Sequence, residues 1–86
     1  MDAPAMPRSP TIRPVTFEER DARYRTVVTA DEAGRALLTH GDTATKEYRK
    51  AVKSCVALSE GKGDPDKVRA DFIAALRAAG VFVRED

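Results

Sequence analysis

Residues 25–38 read RTVVTADEAGRALL, and their apolar pattern changes period midway. RYRTVVT, from residue 23, is rich in β-branched and aromatic side chains and suits a strand. TADE then places Thr29 as an N-cap with Glu32 three positions on, a capping box in which each side chain satisfies an orphan backbone donor at a helix start. Strand therefore gives way to helix at about Ala30.

Downstream, Ala33, Ala36 and Leu37 form the apolar face of the first helix, with Leu38 as a further candidate. Gly41 follows as a C′ residue able to take positive φ, which puts His40 in the last turn. A second helix is predicted from about Thr43 or Thr45 to Glu60, with Asp42 or Thr43 as its cap. Its apolar side is Tyr48, Ala51, Val52, Cys55, Leu58 and Ser59. Gly61 ends it. GDPDK opens a third helix with Asp64 as N-cap, Pro65 at N1 and Asp66 near the positive helix end. Val68, Phe72, Ala75, Leu76 and Ala79 make its buried stripe, with Ile73 at the margin, and Gly80 stops it.

Upstream, IRPVTF pairs naturally with RYRTVVT as a hairpin, and the charged EERDA between them suggests a loop in place of a tight turn. Pro14 should confine the first strand to an edge or to a strand start. An isolated hairpin is marginal in water, so it must lie on the helices or gain a third strand from VFVR at 81–84. The expected architecture is α+β: an N-terminal β-hairpin packed on three α-helices, with a short C-terminal third strand as an option. Prolines at 4, 7 and 10 mark residues 1–11 as a loose arm, leaving one domain over 12–84 and a tail at 85–86.

Composition narrows the classes of function. Fifteen Lys and Arg against fourteen Asp and Glu give a net charge of +1, so no long-range field draws nucleic acid, anionic lipid or an acidic partner, and any such contact must be local. A single cysteine closes no disulfide within the chain, there is no apolar run of membrane-spanning length, and MDAPAMPRSP lacks the parts of a secretion signal. A reducing cytoplasm fits these features, and no cofactor is expected.

RTVVTADEAGRALL (25–38), EYRKAVKSCVALSEG (47–61) and VRADFIAALRAAGVFV (68–83) together resemble the short bacterial proteins grouped as domain of unknown function 982, many from rhizobia and their relatives. The likeness is carried by Arg25, Val27, Thr29, Ala33, Leu37, Tyr48, Ala51, Cys55, Leu58, Gly61, Arg69, Phe72 and Ala79. The family tends to have Trp-Pro near the end of the first helix, where this chain has HGD. The resemblance implies a small α+β domain with no assigned activity, and therefore no catalytic residue to carry over.

The residues with chemical potential mostly have plainer uses. His40 reads as a cation favoured at a helix C-terminus, and no acid–histidine–nucleophile order is visible. Cys55 lies on the apolar stripe of the second helix, where burial disfavours a thiolate. GDTATK lacks the second glycine and the Ser or Thr after Lys that a phosphate loop needs, and GKGDPDK has too few alternating acids for an EF-hand.

What remains is a cationic ridge. Lys46, Arg49, Lys50 and Lys53 are three or four residues apart and share one side of the second helix, where they could hold an anionic partner. The bland alternative is a solvated face. DNA binding through a helix-turn-helix is disfavoured because the third helix opens with DPDK, two carboxylates where phosphates would lie. A dimeric ribbon-helix-helix regulator stays as the alternative, with Arg23 and Arg25 of ARYRTVV reading bases. The expected protein is a non-catalytic cytoplasmic module that binds a protein or a small anionic ligand.

Overall fold

A computed structural model describes residues 10–84 of the chain. Strand β1 (Thr11–Arg20) turns back into β2 (Arg23–Thr29), which passes straight into α1 (Ala30–His40); α2 (Lys46–Ser59), α3 (Pro65–Ala78) and the short β3 (Val83–Arg84) follow. The three strands form one antiparallel sheet in the order β2-β1-β3. The fold is thus the expected α+β hairpin on three helices, and VFVR does supply a third strand. Most of the expected arm, and the tail at 85–86, lie outside the described residues. Thr11 already pairs with Thr29, and the Pro10 carbonyl accepts from the Ala30 amide at 2.9 Å.

The strand-to-helix switch forms at Thr29 as expected, with the return bond of the capping box falling one residue before the N-cap, on Val28. Thr29 Oγ1 accepts from the Glu32 amide at 3.1 Å, while Glu32 Oε1 reaches back to the Val28 amide at 2.8 Å. The hairpin connection differs from the loop expected of EERDA. Glu18 through Arg20 stay in β1, and only Asp21 and Ala22 turn the chain, both at positive φ (27° and 65°). Positive φ at both central positions matches the right-handed twist of the strands, and the Ala22 amide is held by Glu18 Oε2 at 2.8 Å.

Pro14 is also placed differently, since β1 is the central strand. The residue is tolerated because it falls in the register shift between Thr11 and Val15, and because β3 pairs only with Thr16 and Phe17. The Pro14 carbonyl is taken instead by Arg69 of α3, with Nε at 3.3 Å and Nη2 at 3.1 Å.

Alternation along the strands, reset between Ile12 and Val15 by the register shift, sends Ile12, Val15, Phe17, Val27 and Val83 to one face of the sheet, where they meet the helices. Leu37, Phe72 and Leu76 are fully buried against them, and Phe17 meets Phe72 edge to face with centroids 6.1 Å apart. Cys55 and Leu58 are buried as expected of their stripe, and Ile73 belongs to the core proper. Three assignments move. Leu38 is 77% exposed, Ser59 is exposed while Ser54 is buried, and Ala79 is the half-buried C-cap of α3.

The helix ends show which glycines need their freedom. Gly61 and Gly80 adopt φ of 83° and 82° beyond α2 and α3. Gly41 does not: its φ is −77°, so its role is a different one. A Cβ there would lie 2.6 Å from Tyr48 Cδ2, and the glycine is required by close approach of α2. The N-cap of α2 is Thr45, accepting from the Tyr48 amide at 3.1 Å, not Asp42 or Thr43. Asp42 instead braces the turn, through Oδ1 to the Ala44 amide at 3.0 Å.

Candidate functional site

The inward face of α2, Ala51, Cys55 and Leu58, fixes the rotation of the helix and so fixes what points outward. Lys46, Arg49, Lys50 and Lys53 are all exposed, as the ridge requires. They do more than share a helix face: together with Asp71 and Ala74 of α3 they line one cleft of about 510 Å³. Glu47 borders the same cleft, so four cations stand there against two carboxylates. A smaller cavity of about 270 Å³ shares Lys50 and Lys53 and adds Ser54 and Lys67.

Asp71 marks the floor between the two helices. It is 9% exposed, accepts a hydrogen bond from the Ser54 hydroxyl, and takes Lys67 Nζ at 2.8 Å; Lys50 Nζ stands 3.9 Å away. Burial pushes its carboxyl toward the neutral form, but the hydrogen bonds from Lys67 and Ser54 and the fields of Lys67 and Lys50 outweigh it and hold the acid below its ordinary range. The carboxylate is therefore charged and already satisfied. Lys67 and, more loosely, Lys50 are spent on it. Among the described residues no ion pair engages Lys46, Arg49 or Lys53.

Ser54, Lys67 and Asp71 were not anticipated from sequence. The signal was present: Asp71 is three residues past Val68 and four before Ala75, so a charged side chain sits on an apolar stripe, and Lys67 one turn earlier is its natural i,i+4 partner.

Neither His40 nor Cys55 lines the cleft. His40 ends α1 with Nε2 3.2 Å from Glu19 Oε2 and its ring edge-on to Phe17 at 5.4 Å, a tie between helix and sheet. The His40 hydrogen bond, opposed by desolvation and reinforced by Arg25, keeps the Glu19 carboxyl below its ordinary value. The Cys55 thiol is pushed up to about 11, first by burial and then by the Asp71 charge. Among the described residues no group of three or more His, Cys, Asp or Glu is placed to hold a metal ion, and no helix is long and apolar enough to cross a membrane.

Arg23 and Arg25 are exposed on β2, and Arg25 Nη1 lies 3.4 Å from Glu19 Oε2. Because β2 already pairs with β1 of its own chain, an intermolecular ribbon would have to form on its other edge.

A family described as protein of unknown function (DUF982) matches residues 13–83. No curated protein and no solved structure matches the chain.

Proposed function

The chain belongs to the DUF982 family, and we propose that it works as a small non-catalytic binding module that holds an anionic partner against the cleft between α2 and α3. The observation that carries this reading is the convergence of Lys46, Arg49, Lys50 and Lys53 on one concave surface, three of them without an ion pair among the described residues. A net charge of +1 gives little long-range steering, so recognition is a short-range matter of these four side chains.

Support for a non-catalytic role comes from how the reactive groups are used. The Ser54 hydroxyl donates to Asp71, whose lowered pKa makes it a poor proton acceptor for an attacking serine. Cys55 is buried and held as the thiol. An unpaired buried cysteine also suits a reducing cytoplasm.

The test is a fluorescence anisotropy titration with labelled polyglutamate at low salt. The protein should bind, and replacing Lys46, Arg49, Lys50 and Lys53 with Gln should weaken binding at least tenfold while the circular dichroism spectrum is kept. Equal binding by the two proteins would remove the cleft from consideration. Retardation of duplex DNA, falling steeply with salt and lost on replacing Arg23 and Arg25, would favour the ribbon-helix-helix alternative instead.

A further inference from the structure

The cleft charges alone are too weak a grip. Exposed ion pairs are individually weak because water and salt screen them, so four of them hold a partner with no better than roughly millimolar affinity. A partner held more tightly must also bury apolar surface, and a groove beside the cleft offers it.

Between α1 and α2 runs a groove of about 430 Å³, lined by Gly34 and Leu38 on one side and by Tyr48, Arg49, Val52 and Lys53 on the other. Arg49 and Lys53 border both this groove and the cationic cleft, so the two surfaces are continuous. A single exposed leucine is ordinary, but Leu38 at 77% exposure stands in a continuous apolar trough with the half-buried Tyr48 and Val52.

Gly34 adds an independent observation. A glycine inside a helix is destabilising relative to alanine, and a Cβ at this position would meet nothing within 4 Å. No contact inside the domain explains the missing side chain. Gly34 and Leu38 are one turn apart, so the bare backbone lies beside the exposed leucine on the wall of the groove.

We propose that the partner is an acidic amphipathic helix of another protein, its apolar side seated on Leu38 and Val52 with close approach at Gly34, and its carboxylates meeting Arg49 and Lys53. This deepens the reading of the cationic cleft and rests on it. A trough between two helices with a charged rim suits the helix-in-groove mode of recognition, whose anchors recur at i, i+3, i+4 and i+7. A second copy of this chain is a poorer occupant. Of its other large exposed apolar residues, Val56 is on α2 itself and Phe82 precedes β3, while Tyr24 and Val28 are on β2, where Arg84 stacks over Tyr24 at 5.6 Å and brings a cation to meet cations.

The experiment is selection of a phage-displayed library of random 16-residue peptides on the full chain, followed by affinity measurement for the enriched sequences. The expected peptides are acidic with apolar residues at helical spacing. Their affinity should fall at least tenfold with Leu38→Gln, with Gly34→Leu, and with Arg49→Gln combined with Lys53→Gln. The two groove variants favour helix and stand outside the core, and circular dichroism verifies their folding. Enriched acidic peptides without apolar periodicity, sensitive to the cation variants but not to Leu38→Gln, would overturn this partner and leave the cleft reading standing. Failure to enrich any acidic sequence would overturn both. Concentration-dependent dimerisation abolished by Leu38→Gln would assign the groove to a second copy and contradict the proposal.

Discussion

Tyr48 of α2 lies across the bare backbone of Gly41, where a Cβ would come within 2.6 Å of Cδ2 and 2.7 Å of the Leu37 carbonyl oxygen. The contact sets how closely the second helix returns along the first, and both the cationic cleft and the apolar groove depend on where α2 lies.

Gly41→Ala should therefore destabilise the domain by about 1–3 kcal/mol through overpacking, although the backbone conformation at this position suits any residue. Gly34→Ala, in contrast, should stabilise it by about 0.5–1 kcal/mol, because the new methyl meets open space in a helix interior. Urea denaturation midpoints at constant slope check both; a neutral Gly41→Ala would show that the ring can move aside at no cost.

Ala22 holds φ of 65° in the hairpin turn, a conformation that costs an L-residue roughly 1–2 kcal/mol. Ala22→Gly should recover part of this, about 1 kcal/mol, less the added freedom of the unfolded chain. Thermal unfolding followed by circular dichroism is sufficient, and a lowered midpoint would contradict the turn geometry.

Cys55 should resist thiol reagents in the folded protein at pH 8, since its pKa of about 11 leaves on the order of a thousandth as thiolate and burial blocks approach. Labelling should accelerate sharply in denaturant. Rapid modification of the native chain would place Cys55 outside the core.

Stability should decline in acid. Asp71 and Glu19 both have folded-state pKa values below their ordinary 3.8 and 4.5, so each binds its proton less readily in the folded chain than in the unfolded one. Their contribution is present above those ordinary values and is lost as pH falls through the lower folded-state ones. Asp71→Asn should flatten the acid limb of a stability profile measured by denaturant titration between pH 2 and pH 6; an unchanged limb would show that the Lys67 and Ser54 contacts do not depend on the charge.

Much of this architecture was legible because local chemistry and global packing agree. The Thr29–Glu32 box fixed the start of α1, Asp64 and Pro65 opened α3, and the stripes through Cys55 and Phe72 pointed inward. The misreadings arose where tertiary contact overrides local propensity. Gly41 looked like a left-handed cap but serves Tyr48, and EERDA looked like a loop because Asp21-Ala22 lacks the glycine that usually marks a two-residue turn at positive φ, where Glu18 holds the Ala22 amide. Pro14 looked like an edge residue because a bulge is invisible without its partner strand. The cationic ridge was visible as a helix face; that α3 closes it into a cleft, with Asp71 at the floor, depends on packing that no local pattern encodes.

The most direct test of the cleft is an NMR titration of uniformly ¹⁵N-labelled protein with polyglutamate at low salt. Amide shifts should concentrate on Lys46–Lys53 and around Asp71, saturate together and be suppressed by added salt. Shifts centred on Arg23 and Arg25 of β2, or none at all, would contradict binding at the cleft.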